Sequence, residues 1–355
     1  MSERILDEPQ SLYRLDSLGM FDALYHLSEQ CRRAWELGTA LTVSARDEIR
    51  QVLVTGLGGS AIGGDLLRVF AGRRLPVPVT VNRDYVLPEF VGRRTLVFAV
   101  SYSGNTEETL SAYRQAQDKG AQVVVLTTGG KLKEMADRDG VPVITVPGGI
   151  SPRAATGYLF LPTVAVLQRL GLIDPVDGQV DELIRHLAGM REELKPEIPR
   201  EENRAKQIAA RFYRCLPVIW GASGTSEVVA QRWKGQINEN AKAPAYWNVF
   251  PELNHNELVG FQEPEELLRR LQIVILRDAH DHPRVQKRYA ITREIMGGAV
   301  AGITEVQSTG EGELARIYSL IYLGDYASVY LAALYGIDPG PVKVIDHLKA
   351  RLAEE

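Results

Sequence analysis

The sequence predicts an α/β protein made of two tandem doubly wound parallel sheets with a C-terminal helix. Three observations carry this expectation. Short apolar β-type runs alternate with helical patterns, and a strand–glycine turn–helix unit occurs twice with matching spacing. The 355 residues also leave room for two domains at roughly 150 residues apiece.

The first set opens at residues 51–56 (QVLVTG), an apolar run ending in glycine and followed by a helical pattern over 61–70. Further β-type runs lie at 77–81, 95–100 and 122–127, with a helical stretch at 107–119. Strand–helix alternation of this kind implies right-handed crossovers and a parallel sheet, whose ligands gather at the carboxyl ends of the strands. The second set begins at LPVIWGASGTSEVVAQRWK (216–234), where Gly221, Gly224 and Thr225 repeat the spacing of Gly56, Gly59 and Ser60. Runs at 245–249, 272–276 and 303–307 complete it, and a long apolar-periodic helix follows at 314–335. The expected division is an N-terminal helical segment (1–30), a first domain (31–175), a helix and linker (176–203), a second domain (204–336) and a C-terminal helix (337–355).

Composition narrows the partners. Hydrophobic residues make up 45% of the chain and charged ones 24%, with a formal net charge of -4. A chain without a basic field does not attract nucleic acid or an anionic membrane globally, so an anionic small molecule must be captured by a local site. Cys31 and Cys215 lack metal-ligand spacing, and the charged start has no secretory pattern, which together point to the cytoplasm. The apolar run at 154–168 is interrupted by Pro162 and falls short of the ~18 residues of a spanning helix. No membrane span, metal site or cofactor is expected; the pair His280 and His282 reads as part of a charged loop.

The most informative stretch is Ser101-Tyr-Ser-Gly-Asn-Thr-Glu-Glu-Thr, between a strand and a helix. Free backbone N–H groups and the positive end of the dipole at a helix N-terminus suit phosphate. Ser101, Ser103 and Thr106 add hydroxyls, and Gly104 allows close approach. The same residues read equally as a capping box of Asn105 with Glu108 and no ligand. Gly56-Leu-Gly-Gly-Ser-Ala resembles a dinucleotide fingerprint, with Asp84 at a distance suited to a ribose. A second anion turn on another strand argues against a dehydrogenase. Gly58, Gly59 and Ser60 serve equally as donors to a sugar, and Asp84 reads as a solvated turn residue or an Arg83 partner.

Together these motifs make the chain similar to the bifunctional phosphoglucose/phosphomannose isomerases, which are built from sugar isomerase (SIS) domains. Residues 101–109 match the SxSGxTxET phosphate loop. GLGGSAIGGD, NRDY, SPRAATGYL, WKGQINENAK, PELNHNELVGF and GDYASVYLAALYGIDP extend the resemblance from about residue 31 to the C-terminus. It implies a metal-independent aldose–ketose isomerase with no cofactor, acting on sugar 6-phosphates through a cis-enediol. Glu239 is then the base, His255 the ring-opening group, Arg153 the cation beside the reacting oxygens and Lys349 the ammonium near the ring oxygen, with Lys343 as the competing lysine. A homodimer that shares its active site across the interface is implied as well.

The residues also speak for themselves. A base for a carbon acid belongs in a partly desolvated pocket, and Glu239 sits between Asn238 and Asn240, amides able to orient it. His255 is flanked by Asn254 and Asn256, and the nominal pKa of a histidine, about 6.5, suits proton shuttling near neutral pH. Arg153 opens the small-residue stretch Ala154-Ala-Thr-Gly and reads equally as a helix cap. The competing readings are a sugar-phosphate sensor without catalysis, an aminosugar-phosphate isomerase and a nicotinamide enzyme. The balance between glucose and mannose substrates is not written in these motifs.

Overall fold

A computed structural model describes residues 3–45, 47–352 and 354. Five parallel strands, β1 (Gln51–Thr55), β2 (Val79–Asn82), β3 (Thr95–Ser101), β4 (Gln122–Thr127) and β5 (Val143–Thr145), form one sheet in the order β2-β1-β3-β4-β5. A second parallel sheet takes β6 (Leu216–Ala222), β7 (Tyr246–Phe250), β8 (Leu271–Arg277) and β9 (Gly302–Gln307) in the order β7-β6-β8-β9. The two-sheet α/β class read from the sequence is therefore the observed one. In both sheets the chain passes one way from the first strand and the other way from the second, so the order reverses between β1 and β3 and again between β6 and β8.

The chain divides into two compact units. The first comprises His26–Ala188 with Gly310–Tyr318 and holds the five-stranded sheet; the second takes the remaining segments and holds the four-stranded one.

In the first unit every residue of β3 and β4 is buried, as a sheet covered on both faces requires. Leu53, Val97, Ala99, Val123 and Val125 face Leu110, Tyr113, Leu132 and Ala136 from the helices Glu107–Asp118 and Gly130–Asp139. The helices Leu27–Ala40 and Gly59–Ala71 pack on the helix Thr156–Arg169. That last helix continues through Pro162, and its apolar residues are buried. Sequence patterning did not anticipate β5, three residues long, or the helix 130–139, which buries Leu132 and Ala136 and packs the partly buried Met135 on the core.

In the second unit Val218, Trp220, Ile273 and Ile275 of the sheet pack with Phe250, Tyr289 and Met296. Phe250 meets the edges of both Trp220 and Tyr289, at centroid distances of 5.9 and 4.8 Å. The helix Glu313–Leu334 is long and apolar enough to cross a membrane, but its most apolar window is 100% buried inside the protein, which makes it a core helix. Tyr322, Tyr326 and Tyr330 recur at helical spacing along it with centroids 5.1 and 6.0 Å apart, and Phe21 of the helix Met20–Tyr25 packs on the last two. Lys206 is buried and donates to the carbonyls of Pro196 and Ile198 at 2.7 and 2.6 Å; burial pulls its pKa down to about 8.

The helix Glu227–Gln236 lies against Glu313–Leu334 at Gly324, where a methyl would sit 2.0 Å from the Trp233 indole nitrogen. That nitrogen donates to the Leu320 carbonyl at 2.9 Å, and Trp233 is buried, so neither side can yield. Gly324→Ala is expected to cost about 3 kcal/mol of stability through overpacking. The check is the midpoint of urea unfolding, and an unchanged midpoint would contradict this packing.

Candidate active site

The first unit gathers its polar turns at the carboxyl end of its sheet, on both sides of the β1/β3 reversal. After β1 the chain turns through Gly56–Gly58 into the helix Gly59–Ala71. Gly58 is exposed and Ser60 buried. A methyl on Gly59 would lie 2.9 Å from the Pro152 carbonyl and 3.6 Å from the Arg153 Cα, so the glycine turn and the short turn Pro152–Ala154 are in contact. Arg153 on that turn is buried.

After β3 comes the loop 101–106. Ser101 is buried, and its Oγ lies 2.9 Å from Thr106 Oγ1 and accepts from the Gly104 amide at 3.1 Å. Gly104 has a φ of +70°, and a Cβ there would fall 1.8 Å from the Gly129 carbonyl oxygen, so both conformation and space require glycine. Ser103 is exposed at the tip, and its Oγ accepts from the Asn105 amide at 3.3 Å.

The helix Glu107–Asp118 begins after Thr106, and no side chain hydrogen-bonds to cap it. The capping-box reading therefore fails. The Asn105 side chain instead donates to the Ser103 carbonyl and accepts from the Lys131 amide at 3.1 Å, joining the loop to the next helix. Thr106 is half-buried at the mouth of a helix whose first N–H groups have no partner within the helix, which is what an anion requires. Asp84 is an exposed turn residue accepting from the Tyr85 amide at 2.6 Å, while Arg83 pairs with Asp65.

Gln30 was not visible as a site residue. It is buried in the helix Leu27–Ala40, accepts from the Gly157 amide at 2.7 Å and donates to the Ala154 carbonyl at 3.0 Å. One amide thus holds both ends of the segment that follows Arg153. Its only sequence signal is a polar residue on the inward face of an amphipathic helix.

The matching reversal in the second unit is built differently. Thr225, the counterpart of Ser60, donates its hydroxyl to Asp281. Asp281 also accepts from the Asp278 amide at 2.8 Å and the Tyr289 hydroxyl at 2.7 Å, and Asp278 accepts from the Ser308 hydroxyl at 2.9 Å. Two buried carboxyl groups occupy the place that the serine loop takes in the first unit, so the repeat duplicates the fold and not the open serine turn. His282 caps the helix Pro283–Met296, its Nδ1 accepting from the Arg284 amide at 3.1 Å.

Glu239 lies on a single π-helical turn, Ile237–Ala241, that prolongs the helix Glu227–Gln236. Such turns are rare and recur at functional positions. The half-buried Glu239 lines a cavity of about 720 Å³ together with Asn238, Lys242, Asp338, Lys343 and the apolar Ile337, Val342 and Ile345. Lys242 ends the turn in the left-handed region with a φ of 53°. Its Nζ donates to the carbonyls of Glu239 at 2.7 Å and Pro339 at 3.1 Å, fastening the turn to the opposite wall.

Of the expected site residues Glu239 lines this cavity, joined by the competing Lys343; Arg153, Gly58, Gly59, Ser60, Ser101, Ser103, Thr106, His255 and Lys349 are not in its lining. His255 is exposed on the 3₁₀ turn Glu252–His255. Lys349 is exposed on the helix Lys343–Leu352, whereas Lys343, at the start of that helix, does line it.

The fold defines an α/β protein of two parallel sheets, with an open serine turn at the strand-order reversal of the first. A hypothetical protein from Thermus thermophilus has the same fold, with a TM-score of 0.77 over 99% of this chain and 94% of that one at 17% identity. The family model for the bacterial phospho-glucose isomerase C-terminal SIS domain matches residues 201–352. The bifunctional phosphoglucose/phosphomannose isomerase of Caldicellulosiruptor bescii is 54% identical over 336 residues, covering 94% of this chain and 99% of that protein. Its namesake from Aquifex aeolicus is 40% identical over 304 residues, covering 85% and 90%. The chain belongs to the bifunctional phosphoglucose/phosphomannose isomerase family.

Gln30→Leu leaves the buried Gly157 amide and Ala154 carbonyl without partners. The expected loss is about 2 kcal/mol, since an unsatisfied buried group carries its full desolvation cost. Thermal unfolding checks it, and a variant as stable as the parent would mean that the clamp contributes nothing.

Proposed function

We propose that the chain interconverts fructose 6-phosphate with glucose 6-phosphate and mannose 6-phosphate through a cis-enediol, in the cytoplasm, without metal or cofactor. One observation carries the reading above the others. Glu239, a half-buried carboxylate, lines a cavity of a size suited to a small ligand in a chain 54% identical over 94% of its length to an isomerase named for both epimers.

The phosphate docks on Ser101, Ser103 and Thr106, where hydroxyls and helix N–H groups converge, and the backbone of Gly58, Gly59 and Ser60 borders the sugar. His255 and Lys349 open the hemiacetal ring. Glu239 takes the C2 proton of the aldose and returns it to C1, and Arg153 offsets the negative charge that develops on the oxygens at C1 and C2. Both aldoses form because the enediol is planar at C2 and rotation about its C2–C3 bond presents either face to Glu239.

A homodimer fits the surface. Tyr246 and Trp247 on the edge strand β7 are 59% and 38% exposed, and Val344 and Leu348 on the terminal helix are 84% and 57% exposed. The exposed His255 then serves the site of the second subunit. Two unpaired cysteines, Cys31 and Cys215, suit a reducing compartment.

Glu239→Gln is expected to lower kcat by at least about a thousandfold with KM within a few-fold, because the amide keeps the shape and loses the basicity. His255→Ala is expected to be similarly inactive. Mixed under subunit exchange, the two inactive variants should regain part of the parental activity, as one hybrid site then holds both groups. Retention of more than about a tenth of kcat by Glu239→Gln removes it as the base, and failure of complementation despite verified exchange places both residues in one subunit's site.

A further inference from the structure

Arg232 and Asp325 form an ion pair that the proposed chemistry does not use. They are 4% and 1% exposed, and Arg232 donates twice, Nε to Oδ1 at 3.0 Å and Nη2 to Oδ2 at 2.6 Å. Burial pushes the Asp325 carboxyl up against the pull of Arg232. A buried pair of this kind adds little stability beyond what a well-packed apolar pair would give. Its position is more informative. Arg232 and Asn240 lie eight residues apart on the inward face of the segment that carries Glu239, and both reach the helix Glu313–Leu334.

Asn240, fully buried within the π-helical turn and adjacent in sequence to Glu239, donates to the Ser328 hydroxyl at 2.8 Å. Ser328 in turn donates to the Asp325 carbonyl at 2.6 Å. The turn is thus tied through its fourth residue to a residue one turn beyond Asp325, and Asp325 is tied to Arg232. A π-helical turn has one residue more than an α-turn, so without lateral bonds the segment can relax to α geometry and rotate Glu239 by about a hundred degrees. An amide, a hydroxyl, a guanidinium and a carboxylate accept only one register between the two helices, whereas apolar groups slide.

We propose that Arg232, Asp325, Asn240 and Ser328 are positioning residues which fix the π-helical turn and so aim Glu239 at the carbon acid. The proposal rests on the reading of Glu239 as the base. Aim matters because proton abstraction requires near-contact of oxygen and C–H, and a misplacement of about 1 Å costs on the order of a hundredfold in rate. Substrate anchoring through the phosphate is assigned to other residues and is left intact.

The experiment compares the parent, Arg232→Met with Asp325→Leu, Ser328→Ala and Glu239→Gln, all as full-length chains. For each, kcat, KM for glucose 6-phosphate, the thermal midpoint and the rate ratio between protonated and C2-deuterated glucose 6-phosphate are measured. The apolar double variant is expected to keep a midpoint within a few degrees, with kcat on the order of thirtyfold lower and KM within about threefold. Its isotope ratio should rise, because a misaligned base makes proton transfer more strongly rate-limiting. Ser328→Ala, which removes one oxygen and is expected to fold, should show the same pattern at about fivefold in kcat. Parental kcat and isotope ratio in folded Ser328→Ala, with Glu239→Gln inactive, overturn the positioning role alone. Activity in Glu239→Gln overturns the base assignment instead. If the double variant does not fold, Ser328→Ala decides the matter.

Discussion

Close packing of one helix on another is the constraint on which the site depends. The segment that carries Glu239 is pressed against the core helix Glu313–Leu334 at Gly324, where only a hydrogen atom fits beside the Trp233 indole. That approach brings Arg232 to Asp325 and Asn240 to Ser328. It also leaves Glu239 half-buried on the side that opens to the cavity. The cation Lys242 completes the arrangement by holding the turn's carbonyls and the Pro339 carbonyl together.

The two sheets share a plan and differ in what their reversals carry. In the first unit the strand-order reversal ends in glycine and serine turns, with a helix N-terminus open at Thr106. In the second, the equivalent ground is filled by Asp278 and Asp281, each satisfied by hydroxyl and amide donors from its own unit. Anions and buried carboxyl groups exclude one another, so a duplicated fold need not carry a duplicated ligand site.

Much of this was legible in the sequence because it is local. Apolar runs ending in glycine marked β1 and β6, and apolar runs of β type marked β3 and β4. What escaped depends on partners far away in the chain. Asn105 looked like a cap for its own helix and instead joins Lys131. Gln30 meets Gly157 across 127 residues, and Arg232 meets Asp325 across 93. The short β5 and the charged helix Gly130–Asp139 have too few apolar residues to announce a period. The closed reversal in the second unit was masked by its glycine turn, which copies the first while the acids lie more than fifty residues downstream.

The central claim is that one carboxylate and a planar intermediate account for both epimers without a metal ion. The direct measurement is nuclear magnetic resonance of fructose 6-phosphate turned over in deuterium oxide with an excess of chelator. Deuterium should appear at C2 of both glucose 6-phosphate and mannose 6-phosphate, at initial rates within about one to two factors of ten of each other, which corresponds to roughly 1–2 kcal/mol in barrier. Deuterium in one epimer only, or turnover that ceases when the chelator is added, would contradict the account.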